Sequence, residues 1–186
     1  MLKLSLIIIL TTATLAPAAL AQPDTKQTYQ SCSTIASELL TSTQLQQKGL
    51  KLEELYSTLP GLTASGKERL LSTFKQIEKE GLLSTYSTIN SRYARCAKTV
   101  FQLQGKPKAD STESLFYFCA GENKLRYEFI LAFAGGVKVE ELAQKSPAQR
   151  RQLVYYMWDI YKQNGLFGLE ALFDFSATEL KRCLNQ

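Results

Sequence analysis

The sequence predicts an all-α chain of two tandem, pseudo-symmetric helical bundles, each closed by one disulfide. Three observations carry that expectation. Residues 49–55 read GLKLEEL and residues 136–142 read GVKVEEL, which marks an 87-residue duplication. At the same offset, without a gap, Cys32 falls on Cys119, Pro60 on Pro147, Lys75 on Lys162, Gly81-Leu82 on Gly168-Leu169, and Arg95-Cys96 on Arg182-Cys183. Aromatic positions follow the register, with Tyr29 on Phe116, Phe74 on Tyr161 and Tyr86 on Phe173. Second, each half begins and ends with a cysteine. Third, apolar residues recur at three- and four-residue steps, and no stretch alternates with the period of a strand.

The chain opens with Lys3, an apolar run from Leu4 to Leu10, and small residues ending Ala19-Leu20-Ala21. This is the pattern of a secretory signal peptide over residues 1–21, cleaved after Ala21. No later stretch has the apolar length needed to span a bilayer, so the exported chain is expected to be periplasmic or secreted and not membrane-spanning. Four cysteines in an oxidising compartment form an even set with three possible pairings. The duplication favours Cys32 with Cys96 and Cys119 with Cys183. A loop of that length is worth about 4 kcal/mol in chain entropy. No C-x-x-C spacing points to a redox or metal-binding thiol pair.

The first repeat, residues 22–104, opens with a helix over about 26–47, with Tyr29, Cys32, Ala36, Leu39 and Leu40 on one face. Gly49 ends it and supplies a left-handed corner. A short helix over 51–59 follows, stopped by Pro60-Gly61. Ser65 and Glu68 have capping-box spacing ahead of an amphipathic helix carrying Leu70, Leu71, Phe74 and Ile77. A long fourth helix after Gly81 puts Leu83, Tyr86, Ile89 or Asn90, Tyr93, Cys96, Ala97 and Val100 inward. Residues 105–113, GKPKADSTE, are the linker.

The second repeat, residues 114–186, follows the same plan. A helix runs over about 114–134, Gly135-Gly136 breaks it, and a short helix starts at Val139. Ser146 caps the next helix, with Pro147 at its first position and Gln149 completing a capping box. Asn164-Gly165 closes it, and a last helix or broken helix reaches Cys183. On the helix of residues 147–163, apolar side chains cover most of the circumference, which predicts a central position between the repeats, buried on more than one side. The other reading makes part of this face, with Tyr155 and Trp158, an exposed anchor or a cavity wall, and Arg150-Arg151 a small basic spot beside it.

Several chemistries are excluded. The chain has no histidine, which removes Ser-His-Asp and Cys-His catalysis and histidine metal sites. Ser72 to Lys75 matches S-x-x-K only literally, since the S-D-N and K-T-G elements that accompany it in penicillin-recognising enzymes are missing. Glu53-Glu54 and Glu140-Glu141 suit the first turn of a helix better than a glycosidase pair. Phosphate loops, calcium loops and zinc spacings are absent, so no cofactor and no metal are expected. Lys and Arg number 22 against 17 Asp and Glu, a net charge of +5 without the clustered stripe of a nucleic-acid binder.

Each half resembles a class of small exported, disulfide-closed helical bacterial proteins, mostly uncharacterised. The resemblance is carried by Cys119, the Gly136-Val137 corner with Glu140 or Glu141, Tyr155 with Tyr161, and Phe173 or Phe175 with Cys183. It implies a disulfide-closed helical unit and brings no catalytic residues. The expected function is therefore a non-catalytic binding module acting through protein–protein contact in the cell envelope or outside the cell, inhibitor-like or immunity-like. The alternative is a carrier holding a lipid or other apolar ligand between the helices of the aromatic-rich second repeat.

Overall fold

The computed structural model describes residues 27–58 and 61–186; the expected signal peptide and its cleavage site lie outside the described residues. The described chain is all α-helical. Its first half holds α1 (Tyr29–Gln47), α2 (Leu52–Thr58), α3 (Ala64–Glu80) and α4 (Leu82–Gln104). The second half repeats the order with α5 (Thr112–Ala134), α6 (Val139–Lys145), α7 (Ala148–Gln163) and α8 (Gly168–Leu184). Both disulfides have the expected partners. Cys32–Cys96 joins α1 to α4 and Cys119–Cys183 joins α5 to α8, each across 64 residues, with Cα atoms 5.9 and 5.8 Å apart. Disulfides of this kind persist in oxidising compartments.

The long helices form because each carries an apolar stripe and a defined start. Thr28 caps α1 by accepting from Ser31 N at 3.1 Å while the Ser31 hydroxyl accepts from Thr28 N at 3.0 Å. The short helices enter through glycine corners, Gly49 with φ 92° and Gly136 with φ 76°, a region that L-side chains avoid. Their paired glutamates lie in the first turn of α2 and α6, where they complement the helix dipole.

The core is one continuous cluster shared by both halves. The disulfide-joined pairs α1–α4 and α5–α8 pack most extensively, and α1 and α4 each meet α5 and α8 across the middle. Tyr86 of α4 stacks on Phe173 of α8 with ring centres 5.4 Å apart, both rings buried. A polar chain crosses the same seam. Asn123 Nδ2 donates to Asn90 Oδ1 at 2.8 Å, Asn90 Nδ2 to the Tyr86 carbonyl at 2.9 Å, and the Ser176 hydroxyl to Asn123 Oδ1 at 3.3 Å. Satisfied in this way, buried amides fix how the halves seat on one another.

Four sequence expectations are corrected. The helix α7 is not the central element: it packs on α6 and α8 at the outside of the second half, and only Val154 and Met157 are buried on it. Its rings end in hydroxyls or lie half-buried, so an all-round apolar pattern did not require an all-round core. The cap of α3 is Thr63, which accepts from Gly66 N at 3.1 Å, and not Ser65. Ser146 does not cap α7, because its hydroxyl turns back to the Leu142 carbonyl of α6 at 2.8 Å and Pro147 stands at the cap position. Leu83, expected inside, is 36% exposed.

The linker is also shorter than expected, since α5 begins at Thr112. The Glu113 carboxylate accepts from Tyr29 N at 2.7 Å and Gln30 N at 3.3 Å, so the second half caps the first helix of the first.

Candidate functional site

Consecutive helices α4 and α5 form an antiparallel hairpin, and its outer side opens into a groove of about 710 Å³. The floor is made by Ala94 and Ala97 of α4 and Ala120 and Gly121 of α5. These residues are small enough to leave the backbone close to the surface. A Cβ built on Gly121 would meet nothing within 4 Å. The walls are aromatic and aliphatic: Phe101, Phe118 and Leu131 are 48, 54 and 46% exposed. Tyr117 links this wall to the core, stacked 6.3 Å from Phe101 and edge-on 5.2 Å from the buried Tyr29.

Charge is distributed unevenly round the groove. Arg95, Lys98, Lys124 and Arg150 face two carboxylates, Glu122 and Glu128. Both carboxylates are engaged. Glu122 receives a two-pronged bond from Arg150, with Nη1 to Oε2 at 2.9 Å and Nη2 to Oε1, and Lys124 pairs with Glu128 at 3.2 Å. Arg95 and Lys98 have no ion-pair partner among the described residues and lie one turn apart on the exposed side of α4.

Behind Glu122, Arg126 is buried on α5 with its Nη1 4.0 Å from the same carboxylate, while Nε and Nη2 have no partner among the described residues. Burial pulls its guanidinium below the usual arginine value, against the upward pull of Glu122 and Glu179. Glu122 thus serves two arginines from one position and ties α5 to the start of α7.

Of the residues expected to bind, only Arg150 lines the groove, and its guanidinium is occupied by Glu122. Arg151 is exposed beside it and Tyr155 is 46% exposed further along α7; neither lines the groove. Trp158 is half-buried in a ring cluster, 5.4 Å from Phe133 and 5.3 Å from Tyr161, with Lys162 Nζ 5.9 Å above it. The four cysteines are all consumed in the disulfides.

Sequence reasoning missed the groove. One signal was present: Leu115 to Phe118 are four apolar residues in succession, and adjacent helical positions point about 100° apart, so they cannot all face one core. Among the described residues no group of histidine, cysteine or carboxylate side chains is placed to hold a metal ion, and no helix is long and apolar enough to cross a membrane. Comparison with protein families, with characterised proteins and with solved structures returns no match.

Proposed function

We propose that this chain is an exported, non-catalytic binding module that works by protein–protein contact, and that the α4–α5 groove is its contact surface. The observation that carries the reading is the groove itself: an apolar floor, exposed aromatic walls and two cations without ion-pair partners among the described residues, on two helices each joined to a neighbour by a disulfide. Aromatic side chains that are half exposed on a rigid scaffold are the usual anchors of protein interfaces.

The carrier alternative is less well supported by the shape. Pockets for apolar ligands enclose roughly 70–90% of the ligand surface. This groove leaves its own Phe118 about half exposed, so an acyl chain lying beside that ring would stay partly in water.

A photo-crosslinking amino acid placed at Ala94 or Phe118, with a control at exposed Lys75 on α3, tests the proposal in the native envelope. Protein-sized adducts from the groove positions alone are expected. A small-molecule mass that solvent extraction removes, with no protein adduct, would replace this reading with the carrier.

A further inference from the structure

Resting on that reading, we infer that the groove takes an acidic amphipathic helix of the partner protein. Its dimensions set the length of the guest. The lining runs from Ser91 to Phe101 on α4 and from Tyr117 to Leu131 on α5. At 1.5 Å per residue these are about 15 and 21 Å, the length of a helix of ten to fourteen residues. A shallow trough between two helices accepts the apolar stripe of a third helix. The floor favours close approach, because nothing stands over Gly121 and the other three floor residues are alanines.

Charge then selects the guest. With Glu122 and Glu128 already paired, the groove presents Arg95 and Lys98 uncompensated. Carboxylates one turn apart on a guest helix match that spacing. A basic guest would meet like charge, and so would a second copy docking through the same groove, which sets Arg95 and Lys98 of each copy against those of the other.

The test uses three labelled synthetic helices of about fourteen residues. One is acidic with an apolar stripe, one has the same stripe with lysine for every glutamate, and one is acidic with serine for the stripe. Binding is read by fluorescence anisotropy against the disulfide-intact protein at low and high salt. The acidic striped helix is expected to bind about tenfold more tightly than the basic one, with the margin shrinking in high salt. The serine helix is expected not to bind.

The double variant Arg95→Glu with Lys98→Glu should invert the preference, a gain that misfolding cannot imitate. Gly121→Leu, which fills the floor, should abolish both interactions with the helical circular dichroism unchanged. Equal affinity for the acidic and basic helices, an unchanged preference in the double variant, or no binding at all overturns the inference. Tighter binding of dodecanoate, displacing the acidic helix from the groove, overturns it in favour of an anionic amphiphile. Groove-specific protein adducts in the crosslinking experiment would leave the binding-module reading standing in the first three cases.

Discussion

Removing the two disulfides should have equal thermodynamic cost and unequal kinetics. Each bond spans 64 residues, so chain entropy assigns each about 4 kcal/mol. The loops 32–96 and 119–183 do not overlap, so the effects add to about 8 kcal/mol, against a whole-domain stability of about 5–15 kcal/mol. Access differs. Cys119 is fully buried and Cys183 is 7% exposed, whereas Cys96 is only half-buried and lines a cleft of about 330 Å³ between α1, α3 and α4. A limiting thiol reductant, quenched at intervals with an alkylating agent and mapped by peptide mass, should open Cys32–Cys96 first under native conditions. Cys119–Cys183 should open only with global unfolding. In urea, the Cys32→Ala/Cys96→Ala and Cys119→Ala/Cys183→Ala variants should each lose about 4 kcal/mol, and the variant lacking all four cysteines should be largely unfolded. The reasoning is refuted if Cys119–Cys183 is reduced first, or if the four-alanine variant keeps most of its stability.

Other perturbations have equally definite outcomes. In Gly168→Ala the new Cβ would lie 2.6 Å from Tyr161 Cδ2 and nearer still to the Tyr161 carbonyl, so urea unfolding should show a loss of about 1–3 kcal/mol. Gly121→Ala meets open space inside a helix and should instead gain about 0.5–1 kcal/mol. Glu122→Gln leaves the half-exposed Arg150 without its counter-charge and Arg126 with Glu179 alone, and should cost about 2 kcal/mol, whereas Arg126→Met removes two unpartnered buried nitrogens and should be neutral or stabilising by about 1 kcal/mol. Burial pushes the Tyr93 phenol up to about 12, partly offset by its Ser33 hydrogen bond and by Arg126, and burial raises Tyr86 in the same direction. Below the ordinary tyrosine value of 10.0 both states are neutral and stability does not depend on these groups. Above it the unfolded chain ionises and the fold does not, so stability should fall by about 1.4 kcal/mol per pH unit for each phenol, up to about 12 for Tyr93. Phenolate absorbance followed with circular dichroism checks this, and Tyr93→Phe should remove one share of the slope.

Features with a local or a counted cause could be read from the sequence. Helix type follows from periodicity at Cys32, Ala36, Leu39 and Leu40, and the pairing of cysteines follows from the register that sets Cys32 on Cys119. The seam between the halves could not be read, because it depends on which long helices meet across the middle. Asn90 and Asn123 look like ordinary polar interruptions until the fold sets them 2.8 Å apart. The place of α7 was misjudged for a related reason. Composition counts Tyr155 and Tyr156 as apolar, but a phenol can leave its hydroxyl in water, and these two rings are 46 and 54% exposed. The groove lies between helices of different halves, so the apolar run Leu115 to Phe118 announces only its α5 wall and nothing in the sequence sets that wall against α4.

The two halves differ at the positions that leave the groove's charge uncompensated among the described residues. Arg95 and Arg182 occupy matching positions at the offset of 87, each just before the closing cysteine of its half. Three residues before Arg182 stands Glu179, and the two side chains pair at 2.6 Å on the surface of α8. Three residues before Arg95 stands a second cation, Arg92, so the same backbone geometry that neutralises Arg182 leaves Arg95 without a carboxylate. Lys98, another turn along, has Asn185 as its counterpart and adds charge where the second half has none. At these matched positions the charge is paired on α8 and unpaired on α4, and the α4 positions border the aromatic groove. Arg92→Glu tests that account without touching the lining. It should supply the missing partner, lower the affinity for the acidic helix severalfold, and leave the urea midpoint nearly unchanged. An undiminished affinity would mean that Arg95 does not set the charge preference of the groove.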